Sequence, residues 1–87
     1  MLRVLDCSSI SYMPVRGGKP FGEYTMSVRF YKRAGVKGWQ TWYMNLFAKS
    51  PKTLEQFARK LEPRQPMPKL ARGITADTPA RGNKGER

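Results

Sequence analysis

The odd-numbered residues of 24–47 combine aromatic and basic side chains in a pattern that suits the binding of a nucleic-acid strand. Successive residues of a β-strand point to opposite faces of a sheet, so the odd-numbered residues of this stretch share one face. That face carries Tyr31, Trp39 and Tyr43 beside Arg29. Bases stack on exposed aromatic rings while cations bind the phosphates. The four side chains therefore predict a surface for single-stranded nucleic acid.

Further cations lie close to this stretch in the sequence. Neutralising phosphates and releasing their counterions supplies most of the affinity of a protein for nucleic acid. One group of cations precedes the stretch, and a second lies in the segment that connects its two halves. Together with Arg29, these residues are the predicted phosphate ligands: Arg16, Lys19, Lys32, Arg33 and Lys37.

The even-numbered residues of the same stretch are apolar and predict the side of a hairpin that faces the core. A shift of one residue in the pairing of the two strands would exchange the two faces, so the assignment depends on the register. The predicted core residues are Tyr24, Met26, Val28, Phe30, Trp42, Met44 and Leu46.

The chain is strongly basic for its length. Its 87 residues include 17 Lys and Arg against 6 Asp and Glu, which gives a formal net charge of +11. Such an excess of charge is informative about partners rather than about the fold. Nucleic acid is the favoured partner because aromatic residues accompany the cations. An anionic membrane surface and an acidic protein are the alternatives.

The residue types needed for catalysis are scarce. The chain has no histidine, and its few carboxylates are scattered rather than paired. The single cysteine, Cys7, can form neither an intrachain disulfide nor a zinc site, and we expect it to be buried. We therefore expect a protein that is not an enzyme and binds no metal or organic cofactor. No apolar run is long enough to span a membrane and no secretory signal begins the chain, so we expect a cytoplasmic protein without a membrane partner.

These residues must be positioned by a small sheet. Glycine- and proline-containing breaks divide the first half of the chain into apolar, alternating segments typical of strands. The expected order is a first strand within 2–13, a break at 14–20, a second strand near 22–32 and, after a basic loop, a third strand near 39–48.

A helix is predicted over residues 51–62. Ser50 is suited to cap free backbone N–H groups, and Pro51 is tolerated at the first helical position. Pro63 ends the helix. The apolar residues recur with helical spacing and form one stripe: Leu54, Phe57, Ala58 and Leu61.

Residues 63–87 differ in composition from the preceding part of the chain. They include four prolines, three glycines and no aromatic residue. Such a segment buries too little apolar surface to offset the entropy lost on ordering. We therefore expect a domain at 1–62 followed by a flexible basic segment at 63–87, mostly extended or disordered. The fold class is a β-rich α+β domain with a bent antiparallel sheet and one helix.

Two stretches resemble the OB-fold single-stranded DNA-binding proteins of bacteria and phages. Residues 17–30, GGKPFGEYTMSVRF, are similar to that family's Gly-Lys turn followed by an alternating strand. Residues 38–61, GWQTWYMNLFAKSPKTLEQFARKL, are similar to its tryptophan-led strand, polar link and helix. The resemblance covers about half of the chain. It implies an OB-like barrel that binds single-stranded DNA with little sequence preference, as in DNA replication.

Several alternatives remain beside this resemblance. An OB barrel has two more strands after its helix, and residues 63–87 are poor strand material, so the barrel is incomplete, is completed by a second chain, or is replaced by another fold. A three-stranded sheet packed on one helix resembles the arm-site domains of tyrosine recombinases, which bind duplex DNA. A small phage-type inhibitor or adaptor that docks on an acidic host protein is the third hypothesis. Open sheet edges also allow a homodimer.

Overall fold

Six strands and one helix make up the part of the chain that is described. The computed structural model describes residues 3–34, 38–77 and 80–81, and for residues 33, 34, 39, 80 and 81 it describes the backbone alone. The elements in chain order are β1 (Arg3–Cys7), β2 (Ser11–Arg16), β3 (Lys19–Ala34), β4 (Gly38–Ala48), α1 (Pro51–Ala58), β5 (Thr75–Ala76) and β6 (Ala80–Arg81). All strands belong to one antiparallel sheet.

The centre of the sheet is the long hairpin of β3 and β4. Pairing is continuous from Tyr24 opposite Ala48 to Ala34 opposite Gly38, without a bulge. The prediction that even-numbered residues face the core is confirmed. Met26, Val28, Phe30 and Leu46 are fully buried, and Tyr24, Trp42 and Met44 pack against them.

The first strand predicted over 2–13 is interrupted. β1 and β2 both pair with β3, so they form one edge of the sheet with a break at residues 8–10. The backbone N–H of Ser8 still donates to the carbonyl oxygen of Ser27 at 2.8 Å, which keeps the break against the sheet. Val4 is buried, whereas Tyr12 is exposed. The expectation that Cys7 is buried is wrong, since this side chain is exposed.

The break predicted at 14–20 is a tight turn. β2 continues to Arg16 and β3 begins at Lys19, so only Gly17 and Gly18 connect them. Both glycines have positive φ, 61° and 80°, as a two-residue turn between twisted antiparallel strands requires. The basic loop predicted between the second and third strands is also shorter, because β3 runs to Ala34 and β4 begins at Gly38.

Helix α1 covers the apolar face of the hairpin. The Ser50 hydroxyl accepts a hydrogen bond from the N–H of Lys52 at 3.3 Å, and Pro51 is the first helical residue, as expected. Leu54 and Phe57 are buried in the core. The helix ends at Ala58 rather than at residue 62. The chain then continues to residue 61 in turns whose backbone hydrogen bonds span three residues, from Lys60 to Phe57 and from Leu61 to Ala58. No helix of the described residues is long and apolar enough to cross a membrane.

Packed structure continues beyond residue 62, contrary to the expectation of a flexible segment. Ile74 is buried, and Met67 and Ala71 pack against the core. Of residues 63–87, the structure describes 63–77 and 80–81, and the rest of the predicted tail lies outside the described residues. β5 and β6 both pair with β4, at the edge of the sheet opposite β1. Within the described residues the sheet is therefore open, with β1 and β2 on one edge and β5 and β6 on the other.

Candidate nucleic-acid interface

The sheet face opposite α1 carries three of the predicted site residues, Arg29, Tyr31 and Tyr43. Arg29 on β3 pairs with Tyr43 on β4, and Tyr31 pairs with Thr41. Tyr43 and Arg29 are exposed, whereas Tyr31 and Thr41 are partly buried. We call this group of four residues the open face. It exists because both strands alternate without interruption, so that the apolar residues between these four enter the core.

Arg29 is held by a carboxylate at the margin of the open face. Its Nε donates a hydrogen bond to Asp6 Oδ1 at 2.7 Å, and its Nη2 donates to Oδ2 of the same residue. A bulge between Val4 and Asp6 sets the register that places Asp6 opposite Arg29. The hydrogen bond from Arg29 lowers the pKa of Asp6, and the same bond raises the pKa of Arg29.

Arg16 lies over an aromatic pair at the other end of the hairpin. The Phe21 and Phe47 rings meet edge to face, with centroids 5.4 Å apart. The guanidinium carbon of Arg16 is 4.4 Å from the Phe47 centroid and 5.3 Å from that of Phe21. Its Nη2 also donates to Asp77 Oδ1 at 3.1 Å. The turn that carries Arg16 thus folds onto the sheet, and Phe47 is buried beneath it.

A row of polar side chains ties the chain after β5 to the same sheet face. The Ser27 hydroxyl donates to Asn45 Oδ1 at 2.7 Å, and Asn45 Nδ2 donates to Asp77 Oδ2 at 3.4 Å. The Asp77 backbone N–H donates to the carbonyl oxygen of Asn45 at 3.0 Å. Asp77 directly follows β5 and links it to two other strands. Asn45 on β4 binds one carboxylate oxygen of Asp77, and Arg16 on β2 binds the other.

The predicted site residues are only partly brought together. Arg29, Tyr31 and Tyr43 belong to the open face, and the exposed Lys32 follows Tyr31 on β3. Arg16 and Lys19 flank the turn between β2 and β3. Arg33 and Trp39 pair in the backbone register at the end of the hairpin, but their side chains lie outside the description, and so does Lys37 as a whole.

Sequence reasoning missed the two acidic partners. Asp6 pairs with Arg29 and Asp77 with Arg16, so two predicted phosphate ligands are ion-paired in the free protein. Asp77 and Arg16 are 61 residues apart, and no local pattern links them. Among the described residues, no three His, Cys, Asp or Glu side chains come together as metal ligands would.

Comparison of the chain with protein-family models, with curated proteins and with solved structures found no match. The open face, the two ion pairs and the packing around them are therefore the basis for any functional assignment.

Proposed function

We propose that this protein binds single-stranded nucleic acid, with DNA favoured, and does so without catalysis and with little sequence preference. The open face is the observation that carries the proposal. Tyr31 and Tyr43 occupy diagonal positions on neighbouring strands, with Arg29 directly opposite Tyr43. Diagonal neighbours of an antiparallel pair are roughly 7–8 Å apart, close enough for both rings to contact one strand. Every base has a π-face, so stacking of this kind tolerates any sequence.

The residues have distinct roles in this proposal. Tyr31 and Tyr43 stack on bases, and Trp39 is the third residue proposed to stack. Cations along β3 and at its two ends neutralise phosphates. Arg29 and Arg16 exchange their carboxylate partners for phosphate oxygens, which bind guanidinium groups in a similar bidentate geometry. The remaining proposed phosphate ligands are Lys19, Lys32, Arg33 and Lys37.

The path of the chain after α1 supports an OB-like relationship. If β1 and β2 are taken as one interrupted strand, the helix follows the third strand of a meander, as in the OB fold. The N–H of Arg64 donates to the Val4 carbonyl at 2.7 Å, and the Val4 N–H donates to the Gln65 carbonyl at 2.8 Å. The same segment later pairs with β4 through β5. It thus contacts both edges of the sheet, as the last two strands of an OB barrel do.

The same path argues against the duplex-binding alternative. The recombinase-type domain considered above is a sheet of three strands packed on one helix. Here β5 and β6 pair with β4 and add a fourth strand position to the sheet. They lie beside the hairpin that would have to enter a groove of the duplex.

A protein partner is the second candidate function, and exposed apolar side chains on β2 favour it. Tyr12 and Val15 are each more than half exposed, and they lie on the interrupted edge of the sheet rather than on the open face. An acidic protein is the partner that a net charge of +11 would attract.

Fluorescence anisotropy with labelled oligo-dT and with a duplex of the same length tests the proposal. We expect tight binding of oligo-dT at low and moderate salt, and weak binding of the duplex that moderate salt abolishes. Tighter binding of the duplex would overturn the proposal in favour of groove recognition. Binding of neither probe would also overturn it and leave a protein partner as the working hypothesis.

A further inference from the structure

A cleft opens between β1, the hairpin and the segment that follows α1. Its volume is about 540 Å³, within the range of roughly 300–1,000 Å³ that is typical of small-ligand sites. The cleft is continuous with the open face because Tyr31 and Thr41 belong to both. The residues that line it are Val4, Leu5, Tyr31, Thr41, Pro63 and Arg64.

The composition of the lining fits a base with an attached phosphate. Val4, Leu5 and Pro63 supply apolar walls, and Tyr31 supplies an aromatic ring. Ligand sites are commonly apolar surfaces with a small number of placed polar groups. Here the lining residues with polar side chains are Thr41 and Arg64, and Arg64 is the single charged residue among them.

The backbone of Arg64 is fixed firmly against β1. Its N–H donates to the Val4 carbonyl at 2.7 Å, and its own carbonyl accepts from Arg3 Nη1 at 2.9 Å. Its φ of 71° lies in the left-handed region that non-glycine residues seldom adopt. Such a conformation persists where the surroundings hold it, often at ligand sites. Arg64 is therefore presented at the cleft by a rigid support.

Arg64 also differs from Arg16 and Arg29 in its charge environment. The ion pairs of the described residues are those of Arg16 with Asp77 and of Arg29 with Asp6. Within that part of the chain the exposed Arg64 has no carboxylate partner. A phosphate at Arg64 would thus displace no protein anion, whereas one at Arg29 would.

We propose that this cleft binds one nucleotide of the strand, with the base between Leu5 and the Tyr31 ring and the phosphate on Arg64. The inference rests on the proposed function and adds to it a base-binding site at the β1 edge. One base of the strand leaves the row of stacked bases and enters the cleft.

Thymidine 5′-monophosphate alone is the probe for the first experiment. We expect titration of the ¹⁵N-labelled protein to shift the amide signals of Val4, Leu5, Tyr31, Thr41 and Arg64. Thymidine and inorganic phosphate, titrated separately, distinguish the base from the phosphate as the source of binding. Shifts with inorganic phosphate equal to those with the nucleotide would overturn the base-binding part of the proposal.

Two substitutions at leucines of nearly equal exposure test whether the cleft must be open. Leu5 is 40% exposed and lines the cleft, while Leu70 is 41% exposed and does not. We expect Leu5→Trp to fill the cleft and abolish the shifts caused by the nucleotide, and Leu70→Trp to leave them unchanged. Equal effects of the two variants would contradict the proposal.

The role of Arg64 is tested by Arg64→Gln beside Arg72→Gln, which removes the same charge from an exposed position in the same segment. Glutamine has the same backbone strain at positive φ as arginine, so the comparison isolates the guanidinium. Because Arg64→Gln removes the charged hydrogen-bond donor proposed to bind the phosphate, we expect it to weaken nucleotide binding about tenfold or more. An Arg64→Gln variant that binds like the Arg72→Gln variant would refute the phosphate assignment.

The experiments with oligo-dT and with thymidine 5′-monophosphate together distinguish this inference from the proposed function. Oligo-dT binding together with no shifts in the cleft leaves the open face as the site and refutes the cleft. Nucleotide shifts in the cleft without oligo-dT binding would support the cleft as a mononucleotide site and refute strand binding.

Discussion

Arg29 and Asp6 form a two-point ion pair beside the aromatic residues of the open face. Arg29 Nε lies 2.7 Å from Asp6 Oδ1, and Nη2 binds the second oxygen. The carboxylate thus occupies the guanidinium edge that a phosphate would use. In the proposed complex, Asp6 must release Arg29 before a phosphate binds, so the pair opposes binding at this position.

Replacing Asp6 with asparagine is expected to strengthen the binding of oligo-dT. The substitution removes a negative charge from the margin of the open face and frees Arg29 for phosphate. If Arg29 then neutralises one additional phosphate, the salt dependence of log K steepens by about 0.7 for a single strand. Anisotropy titrations of the variant and the natural sequence over a series of salt concentrations measure both quantities.

Glu55→Gln is the matched control, because it removes one negative charge from the exposed side of α1. The general gain in positive charge is the same in the two variants. A similar gain in affinity for both would mean that net charge, rather than release of Arg29, explains the effect of Asp6→Asn.

The same pair predicts a dependence of stability on pH. The hydrogen bond from Arg29 lowers the pKa of folded Asp6 below its ordinary value of 3.8. The stabilising contribution is therefore complete above that value and declines as the pH falls through the lowered pKa. Because the pair is exposed, we expect a small effect. Denaturant midpoints should favour the natural sequence over Asp6→Asn at neutral pH, and the difference should vanish in acid. A difference that persists at low pH would exclude this cause.

Tyr43→Ala is expected to weaken oligo-dT binding by about 1–3 kcal/mol, the usual contribution of stacking on one base. Tyr43 is 40% exposed, and its removal should leave the thermal unfolding midpoint nearly unchanged. Tyr12→Ala is the control, since Tyr12 is an exposed tyrosine that packs on Tyr24, away from the open face. If the two variants bind equally well, the open face is not the stacking surface.

The hairpin was predictable because its pattern is local and unbroken. Apolar residues recur at every second position through β3 and β4, and this alternation determines which residues enter the core. The observed register, in which Tyr24 pairs with Ala48, agrees with it. The start of α1 was predictable for a similar reason, since Ser50 and Pro51 act on the backbone within one turn. Both assignments depend on interactions between residues near each other in the chain.

The ion pairs and the packing after α1 were not predictable in this way. The bulge in β1 shifts the register between Val4 and Asp6, and alternation alone gives no sign of it. The contact of Arg16 with Asp77 forms only when residues 61 apart meet on the sheet. The composition of residues 63–87 indicated disorder, yet Ile74 is buried in the core.

Ile74 therefore provides the sharpest test of where the domain ends. It is 7% exposed and packs with the core, while Leu70 in the same segment is 41% exposed. We expect Ile74→Ala to lower the free energy of unfolding by about 2–5 kcal/mol, and Leu70→Ala to change it by less than about 0.5 kcal/mol. Chemical denaturation followed by circular dichroism measures both. A chain that ends at residue 62 is expected to lose cooperative unfolding. It lacks the segment that forms backbone hydrogen bonds with Val4 and pairs with β4. If Ile74→Ala is as stable as Leu70→Ala, the segment adds nothing to the fold, and the boundary at 62 is correct.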